Sequence, residues 1–214
     1  VSSTARLAIC GQAPGTRVHA SGQPFTDPSG DRLRAWTGLA PDVFYDAARV
    51  AIIPMGFCFP GLDAKGGDLP PRSECAATWH TDLFSALPQL ELILLVGHHA
   101  QRWHLGSAGP PTLTATVADW RNIYARPGPR KSIPLPHPSW RNNGWLRKHI
   151  WFETELLPLL RAAVKDCRDK LPGQPRLALD QRLESAGTDD DHVLAERVGM
   201  KLNKGLVFMS DTRT

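Results

Sequence analysis

The stretch RLAICGQAPGTRVHASGQPF (6–25) starts as a short apolar strand and breaks into a turn built on Gly11, Pro14 and Gly15. Three other apolar runs also end at Gly or Pro: RVAIIP (49–54), ELILLVG (91–97) and the weaker SIPL (132–135). Between them lie segments with helical spacing, SGDRLRAWTGL (29–39) and RSECAATWHTDLFSAL (72–87). The second places Cys75, Ala76, Trp79, Leu83 and Leu87 at threes and fours. Strand and helix in alternation predict an α/β fold, a three-layer α/β/α sandwich around a short, mainly parallel four-stranded sheet. In that architecture ligands bind outside the carboxyl ends of the strands, which singles out the loops at 11–29, 55–71, 97–100 and 136–144. A long helix over roughly 145–169 is expected to cover the sheet with Trp145, Ile150, Trp151, Leu156, Leu160 and Val164.

A chain of 214 residues with 42% hydrophobic content can bury a full core. We expect one domain over 1–171 and a C-terminal appendage over 172–214. The breaker LPGQP (171–175) opens the appendage, and its six Lys and Arg stand against seven Asp and Glu. Nineteen prolines and eighteen glycines cluster between the apolar runs without a period, which indicates long ordered loops. The cysteines Cys10, Cys58, Cys75 and Cys167 form no CxxC pair, so reduced, buried thiols are expected. No leader pattern and no apolar run near twenty residues occur, so a cytoplasmic protein without membrane contact is the expectation. The histidines of HHAQRWH (98–104) read as exposed or helix-capping, with no metal site, and most tryptophans, including Trp36, Trp79, Trp103 and Trp151, read as core.

The net charge is +4, but its distribution is uneven. From Trp120 to Phe152 there is no acidic residue, while Arg121, Arg126, Arg130, Lys131, Arg141, Arg147 and Lys148 supply seven positive charges. Such a block suits a polyanion backbone, and equally a solvated basic face.

The opening turn matches neither a phosphate loop nor a dinucleotide fingerprint, and Ala13 stands where a nucleophile elbow needs serine. What remains is either an ordinary turn or one whose small residues bring backbone N–H groups close to a planar ligand. The late loop LPHPSWRNNGW (135–145) holds His137 between two prolines directly after a strand, a structural or a catalytic placement.

Together GQAPG (11–15), the Phe of GQPF (22–25) and HPS (137–139) resemble the uracil-DNA glycosylase superfamily, nearest its family 4 and family 5 branches. The resemblance extends through GQPFTDPSGDRLRAW, PPRSECAATW and LILLVGHHA and covers about residues 6–160. It implies a DNA glycosylase that flips uracil into a pocket and hydrolyses its N-glycosidic bond, leaving an abasic site. Phe25 matches the aromatic that stacks on the base, and His137 the histidine facing uracil O2. Gly11, Gln12, Ala13 and Gly15 match the turn that lines the pocket. Pro138 and Ser139 match the pinch on the DNA backbone, followed by wedge positions at Trp140 and Arg141. The implied partner is uracil-containing DNA, single- or double-stranded, bound by a monomer without cofactor.

Three departures qualify that pattern. The cysteine spacing does not suit the family 4 iron-sulfur cluster. RVAIIPMGFCF (49–59) lacks the asparagine that reads the uracil edge, leaving backbone groups around Met55 and Gly56 for that task. Gln12 replaces a glutamate and is expected to orient water without taking its proton, so Asp27 is the carboxylate expected either to steer the attacking water or to serve a helix start. The alternative function is a catalytically weak DNA-binding protein of the same fold that recognises flipped or abasic sites. Covalent capture through His19 is not expected, because the loop at 60–72 contains no histidine.

Overall fold

The computed structural model describes residues 1–170, so the expected appendage over 172–214 lies outside the described residues. Four strands, β1 (Leu7–Cys10), β2 (Val50–Ile52), β3 (Leu92–Val96) and β4 (Lys131–Leu135), form one all-parallel sheet in the order β2, β1, β3, β4. The helices are α1 (Thr16–Ser21), α2 (Pro28–Thr37), α3 (Pro41–Phe44), α4 (Ser73–Ser85), α5 (His98–Leu105), α6 (Leu113–Ala118), α7 (Trp120–Ala125), α8 (Asn143–Lys148) and α9 (Leu157–Asp169).

β1, β2 and β3 are apolar throughout, and β4 after Lys131 and Ser132, because both faces of the sheet are covered. Successive side chains point to opposite faces. Leu7, Ile9, Leu92, Leu94, Ile133 and Leu135 therefore enter one core, with Leu33 and Trp36 of α2 and Leu160 and Val164 of α9. Ala8, Cys10, Ala51, Ile93 and Leu95 enter the other, with Ala76 and Leu83 of α4 and Ala100 of α5. The expected three layers are present. Each fully buried Leu or Ile contributes roughly 1.5–3 kcal/mol, which makes the sheet a rigid platform for the loops at its carboxyl edge.

The single helix expected over 145–169 is broken. α8 ends at Lys148; His149 takes φ −122° and ψ 64° and its ring stacks on Trp145 at 4.3 Å. A π-helical turn, Phe152–Leu156, then leads into α9. Pro158 lies in the first turn of α9. It has no N–H for the carbonyl four residues back and its ring crowds that carbonyl, so a widened turn precedes it. The apolar positions continue on both sides of the break, so the sequence alone reads as one helix.

Two further expectations are corrected on the α4–α5 face. Trp103 is 43% exposed, not core. His104 is neither exposed nor a cap: its ring packs 5.6 Å from His80 and 5.1 Å from Phe84. His80 is itself buried and donates Nε2–H to the Pro54 carbonyl at 3.1 Å. Burial pushes the His104 imidazole down to about 4, with the neighbouring His80 adding to the effect, and burial also lowers His80.

Because the folded state holds His104 neutral, the unfolded state binds the proton more tightly. The stability this residue contributes is complete above the ordinary value of 6.5 and is lost as pH falls toward 4. At pH 5 the loss is about 2 kcal/mol. His104→Phe, which keeps the aromatic packing, is expected to flatten the fall of the melting temperature between pH 7 and pH 5, measured by thermal unfolding across that range.

Candidate functional site

Pairing between β1 and β2 runs on past the ends of both strands. Ile53 N–H donates to the Ile9 carbonyl at 2.9 Å, Met55 N–H to Gly11 at 3.0 Å and Gly56 N–H to Gln12 at 3.0 Å. This ladder holds the turn 11–13 against the loop after β2. A Cβ on Gly56 would lie 3.4 Å from the Ala13 Cβ and 3.2 Å from Pro71, so the small residue lets the two loops close. Met55 is buried in the second core and its amide, like that of Gly56, is engaged with the turn. These two residues therefore support the turn with the donors that were expected to read a base. The N–H groups of Gln12 and Ala13 make no hydrogen bond among the described residues, and both residues are half-buried at the carboxyl edge.

Phe25 is the one non-glycine with positive φ, 57°, among the described residues. A left-handed conformation costs a non-glycine residue about 1–3 kcal/mol and persists only where surroundings over-determine it. Here three groups do. The Phe25 carbonyl accepts from Arg34 Nη1 and from the Tyr45 hydroxyl, both at 3.0 Å. Arg34 Nη1 also lies 3.0 Å from the Tyr45 oxygen, joining the two donors. Gly30 makes room: a Cβ there would fall 1.8 Å from the Phe25 carbonyl oxygen. The ring thus lies against Gly11, 3.3 Å from where a Cβ would stand, and meets Phe44 edge-on at 5.9 Å and 87°.

Asp27 is the N-cap of α2. Its Oδ1 accepts from Ser29 Oγ at 2.6 Å and Gly30 N–H at 3.2 Å, while Oδ2 makes no hydrogen bond among the described residues. The helix-start role is therefore observed, and it fixes the carboxylate two residues from Phe25.

His137 leaves the end of β4 on a braced backbone. Buried Gln101 donates Nε2–H to the carbonyls of Leu135 at 2.8 Å and Leu95 at 3.3 Å, and Gly97 N–H donates to Leu135 at 2.9 Å. Gly97 has φ 85° and a Cβ there would stand 3.7 Å from the His137 Cβ, so the histidine packs directly on that backbone. Asn142 Nδ2 donates to the His137 carbonyl at 2.7 Å, and Arg32 Nη1 to the Ser139 carbonyl at 3.1 Å, which joins the HPS loop to α2. The imidazole nitrogens make no hydrogen bond among the described residues. Burial lowers the His137 pKa; the charges of Asp27 and Asp68 oppose this and Arg141 reinforces it. At neutral pH the ring is uncharged and offers one N–H donor.

Asp68 and Gln101 were not foreseen. Residues 61–69 fold into a small hairpin: Leu62 bridges Asp68 antiparallel, and Asp63 Oδ1 accepts from the amides of Lys65 and Gly67, both at 2.8 Å. The hairpin turns Asp68 onto the opening turn, its Oδ2 3.1 Å from where a Gly15 Cβ would be. The sequence signal is DAKGGD (63–68), an Asx turn followed by two glycines, but nothing in it states which loop the hairpin meets.

The basic segment divides. Lys131 opens β4 and donates to the Arg126 carbonyl at 3.0 Å, and Arg130 donates to Phe84 at 2.8 Å, so these groups sit at the amino edge, opposite His137. Arg121 pairs with Glu155. Arg141, Arg147 and Lys148 follow the histidine loop and are exposed, beside Trp140, which is 73% exposed. Of the seven charges of the segment, these three directly follow His137 in the chain. His19 is exposed on α1 and its ring lies 5.7 Å from Phe59.

The cysteines lie on β1, the loop after β2, α4 and α9, and among the described residues no three His, Cys, Asp or Glu side chains group as metal ligands. The residues do not fit an iron-sulfur cluster. The expectation of buried thiols holds for Cys10 and Cys167 and is corrected for Cys58, which is exposed, and Cys75, which is half-buried; burial raises the Cys10 thiol and pushes Cys167 up to about 12.

A family model described as the uracil DNA glycosylase superfamily matches residues 1–161 of the 214.

The Gly30 clearance generates a direct test. Gly30→Ala is expected to destabilise the fold by about 2–4 kcal/mol, because the new methyl must displace the Phe25 carbonyl from Arg34 and Tyr45. Denaturant unfolding measures the loss; Ser29→Ala, which leaves the clearance intact, is expected to cost about 1 kcal/mol through the weakened cap.

Proposed function

The chain belongs to the uracil DNA glycosylase superfamily, and we propose that it is a monofunctional glycosylase that flips uracil out of DNA and hydrolyses its N-glycosidic bond. The observation that carries this reading is the convergence at one sheet edge of an aromatic platform, a neutral histidine and unpaired turn amides. These come from loops after β1 and β4, more than a hundred residues apart in the chain.

Flipping costs a few kcal/mol of unstacking. Stacking on Phe25 returns about 1–3 kcal/mol per base. The ring needs no reordering for this, since its backbone is already held by Arg34, Tyr45 and the Gly30 clearance. The amides of Gln12 and Ala13 offer donors to the polar edge of the base.

In the chemical step the bond between uracil N1 and deoxyribose C1′ breaks and its electron pair leaves with uracil. Negative charge then spreads to O2. The neutral His137 imidazole donates its N–H there, a fixed donor of the oxyanion-hole kind, typically worth about 10²- to 10³-fold in rate. A water oxygen bonds to C1′, its proton is lost, and an abasic site remains. Pro138 and Ser139, tied to α2 through Arg32, and exposed Trp140 and Arg141 take the DNA strand around the flipped nucleotide. Arg147 and Lys148 add exposed charge for neighbouring phosphates.

The test is single-turnover excision from a labelled oligonucleotide with one uracil, single-stranded and paired with G or A, followed by alkaline cleavage of abasic sites. The wild type is expected to cut at uracil and spare thymine. Phe25→Ala is expected to lose about tenfold or more in excision. His137→Ala is expected to lose about 10²- to 10³-fold, and His137→Asn, which restores an N–H donor, to recover part of that loss. Tight salt-dependent binding with no cleavage by the wild type would instead establish a binding protein of the same fold.

A further inference from the structure

We propose that Asp68 is a second carboxylate of the excision site, facing the deoxyribose and the attacking water; this rests on the glycosylase reading above. Its carboxylate lies against Gly15, the last residue of the opening turn. The hairpin that carries it is closed at its base by the Leu62 bridge and by Leu69 N–H donating to the Gly61 carbonyl at 3.0 Å, and at its tip by the Asp63 carboxylate. Its charge acts on His137, as does that of Asp27 at the start of α2.

The two differ in what they have left to offer. Asp27 commits Oδ1 to Ser29 and to the start of α2. Asp68 makes no side-chain hydrogen bond among the described residues, and it is exposed. The other acid of the hairpin, Asp63, is engaged by the amides of Lys65 and Gly67, which lower its pKa along with the charge of Arg141. An unengaged carboxylate on a face that takes DNA repels phosphates. It is matched instead to the positive charge that develops on the sugar as uracil departs.

The balance is complete with water alone. As the C1′–N1 bond breaks, its electrons leave with uracil and C1′ becomes electron-poor. The water oxygen bonds to C1′ and one of its protons passes to the Asp68 carboxylate, then to solvent. The carboxylate first stabilises the cation and then accepts the proton.

The experiment compares binding of two duplexes, one with a cationic pyrrolidine in place of the abasic sugar and one with neutral tetrahydrofuran, alongside single-turnover uracil excision. The wild type is expected to prefer the cationic duplex. Asp68→Asn is expected to cut that preference about tenfold. The same substitution is expected to slow excision about tenfold or more while tightening binding to DNA without uracil, and Asp68→Glu to restore most of both properties. A hairpin that merely braces the turn would lose binding and excision together.

A wild type without the cationic preference, or an Asp68→Asn variant that keeps it, overturns the assignment. If the wild type shows the preference and Asp68→Asn removes it, yet uracil is never excised, the uracil reading fails while the placement of Asp68 at the reacting sugar stands.

Discussion

A sheet buried on both faces has only the ends of its strands open to a ligand, and this constraint organises the molecule. With all four strands parallel, their carboxyl ends lie together, so the four loops that leave them share one edge. The main chain reinforces this beyond the strands. β1 and β2 keep pairing through Gly11 and Gln12, while Gln101 ties the ends of β3 and β4 to one another. The donors and rings of the site therefore rest on a continuous hydrogen-bonded base, although each loop is irregular.

The charge arrangement follows from that base. A protein that holds a polyanion gains by presenting cations, and Arg141, Arg147 and Lys148 do so next to the histidine loop. Around His137 the pattern reverses, since the charges of both Asp27 and Asp68 act on its imidazole. On the proposed reading, outer positive charge draws the strand in. On the same reading, inner negative charge suits a carbon that turns cationic during bond cleavage, which assigns affinity and chemistry to different residues.

Much of this was legible in the sequence because it is local. Apolar runs ending in Gly or Pro located all four strands, and GQAPG and HPS located two walls of the crevice, since each is a short segment whose backbone limits are written in its own residues. What could not be read depends on partners far along the chain. Asp68 meets Gly15 only because a hairpin folds across the edge of the sheet. His104 is buried because α4 supplies His80 and Phe84. The basic segment looked uniform, but a strand passes through it and carries its first charges to the opposite edge. The break after α8 hid behind apolar spacing that is the same in an α-helix and across a short interruption, and Pro158 was the clue.

The left-handed backbone at Phe25 also fixes when conformational entropy is lost. Since Arg34, Tyr45 and Gly30 determine the aromatic platform without help from any bound base, its ordering belongs to folding and not to binding. On the proposed reading, a base that enters the crevice meets a surface already in its final shape. Discrimination among bases then rests on how each fits a stiff slot, and a base of the wrong outline cannot recruit the ring toward itself. The strain held in one residue thus becomes a filter on shape.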